Sequence, residues 1–115
     1  MKLNTTALGK GESTPVFKIT HLGKLSVCYA GDLDNETLTM EASYVNTPAS
    51  FVSCYPGDVA ATAETYTNNA ASIRPRVFLL PEGLYVRWTM SNGAGTPVDV
   101  YVHVGGECGK IVTAA

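Results

Sequence analysis

Two histidines, three cysteines and an acidic turn are the groups in this chain whose chemistry is worth testing first. An imidazole can serve as a general base, but a triad also needs a nucleophile and an orienting carboxylate within reach. His21 closes an apolar run and His103 sits between Val102 and Val104; neither has a Cys or Asp at a recognisable spacing. Cys28, Cys54 and Cys108 are odd in number and contain no Cys-x-x-Cys pair. Neither a disulfide framework nor a zinc site is expected from them. Cys28 and Cys54 fall in apolar runs, where a thiol behaves as a small hydrophobe, whereas Cys108, in Gly105-Gly-Glu-Cys-Gly109, is expected to be more exposed. The turn Asp32-Leu-Asp-Asn-Glu36 crowds the oxygens that calcium requires. It lacks the EF-hand offsets, and Asp and Asn are ordinary turn formers. The Gly-rich Asn92-Gly-Ala-Gly95 is not followed by the helix that phosphate binding needs. The expectation is therefore no catalytic residue, no cofactor and no metal.

Charge narrows the partners. Eight Lys and Arg stand against ten Asp and Glu, for a net charge of -2. The nearest approach to a basic patch is Arg74, Arg76 and Arg87. Neutralising several phosphates takes a denser cationic face, so nucleic acid is not an expected partner. No run of apolar residues is long enough to span a membrane, and Met1–Lys10 lacks the apolar core of a leader, so synthesis in the cytoplasm is expected. Asn4-Thr-Thr6 and Asn35-Glu-Thr37 match the glycosylation sequon, which carries no meaning without a secretory route. What remains are side chains that bind instead of react. Tyr85, Arg87, Tyr101 and His103 fall on the wet sides of two alternating runs and form the candidate interface. Tyr85 and Tyr101 read as cross-strand neighbours, a pair that suits a protein surface about as well as a glycan.

The elements that must carry these residues are strands. Leu84, Val86, Trp88 and Met90 share one phase, and Val98, Val100, Val102 and Val104 share another, with Asn92–Gly95 between them. That pattern predicts a two-stranded antiparallel ribbon with one apolar face. Further alternating runs are Val16–Leu22, Lys24–Ala30 and Thr37–Val45, with a short strand at Ser50–Tyr55. Ile73–Leu80 is a strand whose Pro75 belongs at an edge or bulge, because proline has no N–H to donate. Val59–Ser72 reads as a long connection holding a short strand, with a helical turn open to Ala60–Glu64, and Lys110–Thr113 as a last short strand. Residues 1–14 have little apolar periodicity and are expected to be a flexible arm. Residues 15–115 are expected to form a single domain, since a chain of 115 residues buries one core. Charged residues make up only 16% of the chain, against about a quarter in an average protein. The surface must then be built from Thr, Ser, Asn and Gly, which suits strands and turns. With no helical periodicity, about seven or eight short strands fit an all-β, antiparallel β-sandwich, immunoglobulin-like or jelly-roll.

Three passages resemble the small β-sandwich virion structural proteins of tailed bacteriophages. Gly23-Lys-Leu-Ser-Val-Cys-Tyr29 with Thr37-Leu-Thr-Met-Glu-Ala-Ser43 resembles a hairpin with a row of alternating apolar residues. Val77-Phe-Leu-Leu-Pro-Glu-Gly-Leu-Tyr-Val-Arg-Trp88 resembles that group's apolar strand, Pro-x-Gly turn and aromatic-x-Arg strand. Met90–Thr96 with the valine row resembles its terminal hairpin. The resemblance is one of pattern and extends to tail, fibre and capsid-decorating proteins. It implies a non-catalytic subunit of the decoration or cement type, located on the virion capsid surface. Its implied partners are the major capsid protein or other virion proteins and further copies of itself, a trimer being favoured. A tail, head-fibre or receptor-binding module and a carbohydrate-binding β-sandwich are the competing readings, with an enzyme behind them.

Overall fold

The computed structural model describes residues 1–54 and 63–113. Nine strands are formed among them: β1 (Val16–Ile19), β2 (Gly23–Asp32), β3 (Leu38–Ser43), β4 (Val52–Ser53), β5 (Thr65–Tyr66), β6 (Ser72–Leu80), β7 (Tyr85–Met90), β8 (Val98–Val104) and β9 (Gly109–Val112). One turn of 3-10 helix, Pro48–Ser50, precedes β4. All pairings between strands are antiparallel. One sheet runs β4-β3-β7-β1-β9, with β5 also paired to β3; the other runs β6-β2-β8. The expected antiparallel β-sandwich is thus the fold. The helical turn expected at Ala60–Glu64 falls largely outside the described residues.

The period-two pattern explains the core. Leu25, Val27 and Tyr29 of β2, Met40 of β3, Val86, Trp88 and Met90 of β7, and Val100, Val102 and Val104 of β8 are all buried. They meet between the two sheets, and each such side chain contributes roughly 1.5–3 kcal/mol on burial.

The pairing, by contrast, corrects the sequence reading. β7 and β8 are not a hairpin: β7 pairs with β1 and β3, and β8 pairs with β2 in the opposite sheet. The β2–β3 passage likened to a hairpin, and the β6–β7 passage with its Pro-x-Gly turn, are likewise arches that cross between sheets. Alternation says which face of a strand is apolar; it does not say which strand lies beside it. Both rows point inward from opposite sides. The residues of Asn92–Gly95 need room instead of positive φ: a Cβ on Gly93 would lie 2.8 Å from a Glu36 carboxylate oxygen, and one on Gly95 would strike the Asp34 carbonyl. Val98 also leaves the apolar row. The β2–β8 register shifts between Ala30 and Asp32, Asp99 takes φ 53°, and Val98 is left exposed.

Residues 1–14 are not a free arm within this fold. Leu3 and Leu8 are buried, and their N–H groups donate to the Val102 and Val100 carbonyls. Asn4 accepts from Val102 N–H and donates to Val100 O, so residues 1–4 line the outer edge of β8. The segment then changes sheets, and Thr14 N–H donates to Trp88 O on β7. Unpaired edge groups of β8 and part of β7 supply the reason the segment is held. As expected, Pro75 lies on an edge strand, since β6 ends its sheet.

Candidate functional site

The four candidate interface residues divide between the two outer faces. Tyr85 and Arg87 belong to β7, and Tyr101 and His103 to β8, so Tyr85 and Tyr101 are not cross-strand neighbours and share no platform.

On the larger sheet, Arg87 is spent inside its own chain. Its Nε donates to Glu41 Oε1 at 2.9 Å and its Nη2 to the Pro48 carbonyl at 3.3 Å. Its guanidinium also lies 4.3 Å from the Phe51 ring centroid. Glu41 accepts a further bond from Thr89 Oγ1 at 2.7 Å. Tyr85 carries the Lys18 ammonium 5.3 Å from its ring centroid. Beyond Tyr85, which pairs with Ser43, the corner between β3 and β4 leaves Tyr44, Val45 and Val52 exposed.

The smaller sheet presents a different face. Along β6, Ile73, Val77 and Leu79 are 73%, 63% and 64% exposed. Beside them β2 offers short side chains, Ser26 opposite Val77, Cys28 opposite Pro75 and Ala30 opposite Ile73, until Lys24 opposite Leu79 at one end. On the far side Cys28 and Ala30 pair with His103 and Tyr101, and the Lys2 ammonium sits 4.1 Å from the Tyr101 centroid. The short side chains of β2 between taller neighbours leave two open depressions. One, about 370 Å³, lies among Met1, Cys28, Pro75, Val77 and His103; the other, about 570 Å³, lies among Ala30, Gly31, Ile73 and Asp99. Ile73, Val77 and Leu79 thus form an exposed apolar row on this face.

Two buried polar clusters went unread in the sequence. In the first, Trp88 Nε1 donates to Tyr29 Oη at 2.8 Å, and Tyr29 donates to Glu64 Oε2 at 3.0 Å. Arg76 grips the same carboxylate through Nε at 3.2 Å and Nη2 at 3.1 Å. Burial, with the Glu64 charge beside it, keeps the Tyr29 phenol protonated well above its ordinary range. Burial and the same carboxylate raise the Cys54 thiol. A phenol and a thiol held protonated are poor nucleophiles. Of the three arginines nearest to a basic patch, Arg74 is exposed, whereas Arg76 shares the inward phase of Phe78 and Leu80. A cation in an inward phase calls for a buried anion, and that was the available signal.

The second cluster is the acidic turn. Glu36 accepts from Ser91 Oγ, Gly93 N–H and Gly95 N–H, each at 2.7 Å. Asp34 accepts from Thr96 N–H at 2.7 Å. The Ser91 hydroxyl and the two glycine N–H groups hold the Glu36 carboxyl below its usual range. These oxygens tie the 91–96 arch to the 32–36 turn. Among the described residues, no three His, Cys, Asp or Glu side chains are grouped to hold a metal. His21 bonds the Glu107 carbonyl through Nε2 at 2.7 Å. Cys108, expected to be more exposed, is buried, because its strand-to-strand link folds under Gly23 and Thr20. No family model, curated protein or solved structure was found to match the chain.

Proposed function

We propose that this chain is a non-catalytic structural subunit that works by docking, and that it decorates the exterior of a viral capsid as a homo-oligomer. The observation that carries the reading is the presence of two separate apolar surfaces on opposite sheets. One is the Ile73–Val77–Leu79 face; the other is the Tyr44–Val45–Val52 corner. A subunit bound both to its own copies and to a shell needs two such surfaces, and avidity then multiplies weak contacts. The low charge of the surface supports the same use, since few ions have to be stripped of water on contact. The sequence resemblance to phage virion proteins supplies the kind of assembly, with the major capsid protein as partner.

The test is to add the purified chain to expanded, empty phage shells and, in parallel, to complete tailed particles, and to image both. Regular density on the shell, formed without any small ligand and lost on Tyr44→Asp with Val52→Asp, is the expected result. No affinity for the shell overturns the reading. Density at the tail or a fibre tip instead identifies the competing virion part, which would use the same surfaces.

A further inference from the structure

We infer that two copies of this chain pack the outer faces of their β6-β2-β8 sheets together about a two-fold axis running across the strands. The inference rests on the docking reading above but not on any capsid.

An isologous contact requires a surface that complements itself when turned over. Register allows that to be checked row by row. Along β6 the outward residues are Ile73, Pro75, Val77 and Leu79, opposite Ala30, Cys28, Ser26 and Lys24 of β2. Reversing the strand direction between Pro75 and Val77 sets Ile73 over the partner's Leu79 and Pro75 over the partner's Val77, so every β6 contact is apolar on apolar. On β8 the size pattern reverses in the same way. Tyr101 and His103 stand at one end, and Gly105 at the other, where a Cβ would meet Ser26 Oγ at 2.5 Å. The tall end of one copy thus falls on the flat end of its partner.

Charge selects the same arrangement. Lys24 lies at the Leu79 end of the face, and Asp99 at the opposite end beside Ala30 and Ile73. Neither makes a salt bridge among the described residues. Turning the partner about an axis across the strands brings Lys24 near the partner's Asp99, twice by symmetry. Three strands and the residue 1–4 strip give a footprint of about 19 by 30 Å per copy, at strand spacings of about 4.8 Å and rises of about 3.3 Å. That area lies near the lower limit for a specific contact, which suits a reversible rather than an obligate dimer.

Sedimentation equilibrium of the full chain, from micromolar to near-millimolar concentration, reads the result. The expected species are monomer and dimer. Val77→Lys, which enters the contact twice, should raise the dissociation constant by roughly a hundredfold or more. Lys24→Glu, which faces Asp99 with a like charge, should weaken it by about tenfold at low salt, the effect shrinking as salt rises. Both positions are exposed, so thermal melts should match the parent chain; Leu79→Lys replaces Val77→Lys if that variant fails to fold. A chain that stays monomeric throughout, a closed trimer, or a dimer indifferent to Lys24→Glu (as pairing through the β6 edge would be) overturns the proposal. Shell binding is read separately, so a chain that dimerises without binding shells refutes the capsid reading alone.

Discussion

At the scale of single residues, the Tyr29 hydroxyl links two buried partners. It accepts from Trp88 and donates to Glu64, while its ring stacks on Tyr66 with centroids 5.1 Å apart. Tyr29→Phe removes one oxygen and leaves the indole N–H without its acceptor. A loss of about 1–3 kcal/mol in chemical denaturation is expected, with the fold retained. Glu36 gives a pH-dependent counterpart. Its carboxyl ionises more readily folded than unfolded, so its contribution is fully present above the unfolded value of about 4.5 and is lost as pH falls through the lower folded value. Melting temperature should therefore drop with acid below about pH 4.5, and Glu36→Gln should flatten that part of the profile. A profile unchanged by the substitution would assign the acid sensitivity elsewhere.

At the scale of elements, the strands were readable and their neighbours were not. Val86, Trp88 and Met90 announce an inward row because alternation follows from the pleat of one strand alone. That β7 lies beside β3 and not β8 depends on arches whose fixing bonds come from distant residues. Glu36, which pins Gly93 and Gly95, is one of them. The candidate site was legible to the same degree. Tyr101 and His103 were placed on an outer face, but Ile73, Val77 and Leu79 read as ordinary strand residues, since a buried row and an exposed apolar row have the same spelling. The N-terminal segment is hard to read for a related reason: its hold on β8 comes from backbone hydrogen bonds to Val100, Val102 and Val104, from the Asn4 side chain and from two buried leucines without periodicity. Asn4→Ala leaves Val102 N–H unpaired and should cost about 1–3 kcal/mol in denaturant titration. Val100→Asp places a carboxylate at a fully buried position among apolar neighbours and should abolish the cooperative melt.

At the scale of the whole molecule, the two sheets differ in what they show to solvent. The larger one ties its outer charges together, as Arg87 does with Glu41 at 2.9 Å. The smaller one keeps its apolar β6 row open. Such asymmetry predicts that altering charge on the two faces has unequal effects. Lys replacement of Val77 should change self-association and leave the melting temperature within about 1–2 °C, whereas Arg87→Ala should lower that temperature and leave self-association untouched. Equal effects on both readouts would deny the faces separate roles.

Outside the β3–β4 and β4–β5 links, every connection carries the chain from one sheet to the other. Neither sheet is therefore a continuous piece of sequence, and any stretch long enough to hold all of one also carries strands of the other. Backbone amides in β2 and β7 should then exchange with deuterium at a common rate, opening only when the entire body opens. Refolding should be slow for a domain of this size, because distant segments must meet before any of them is rewarded.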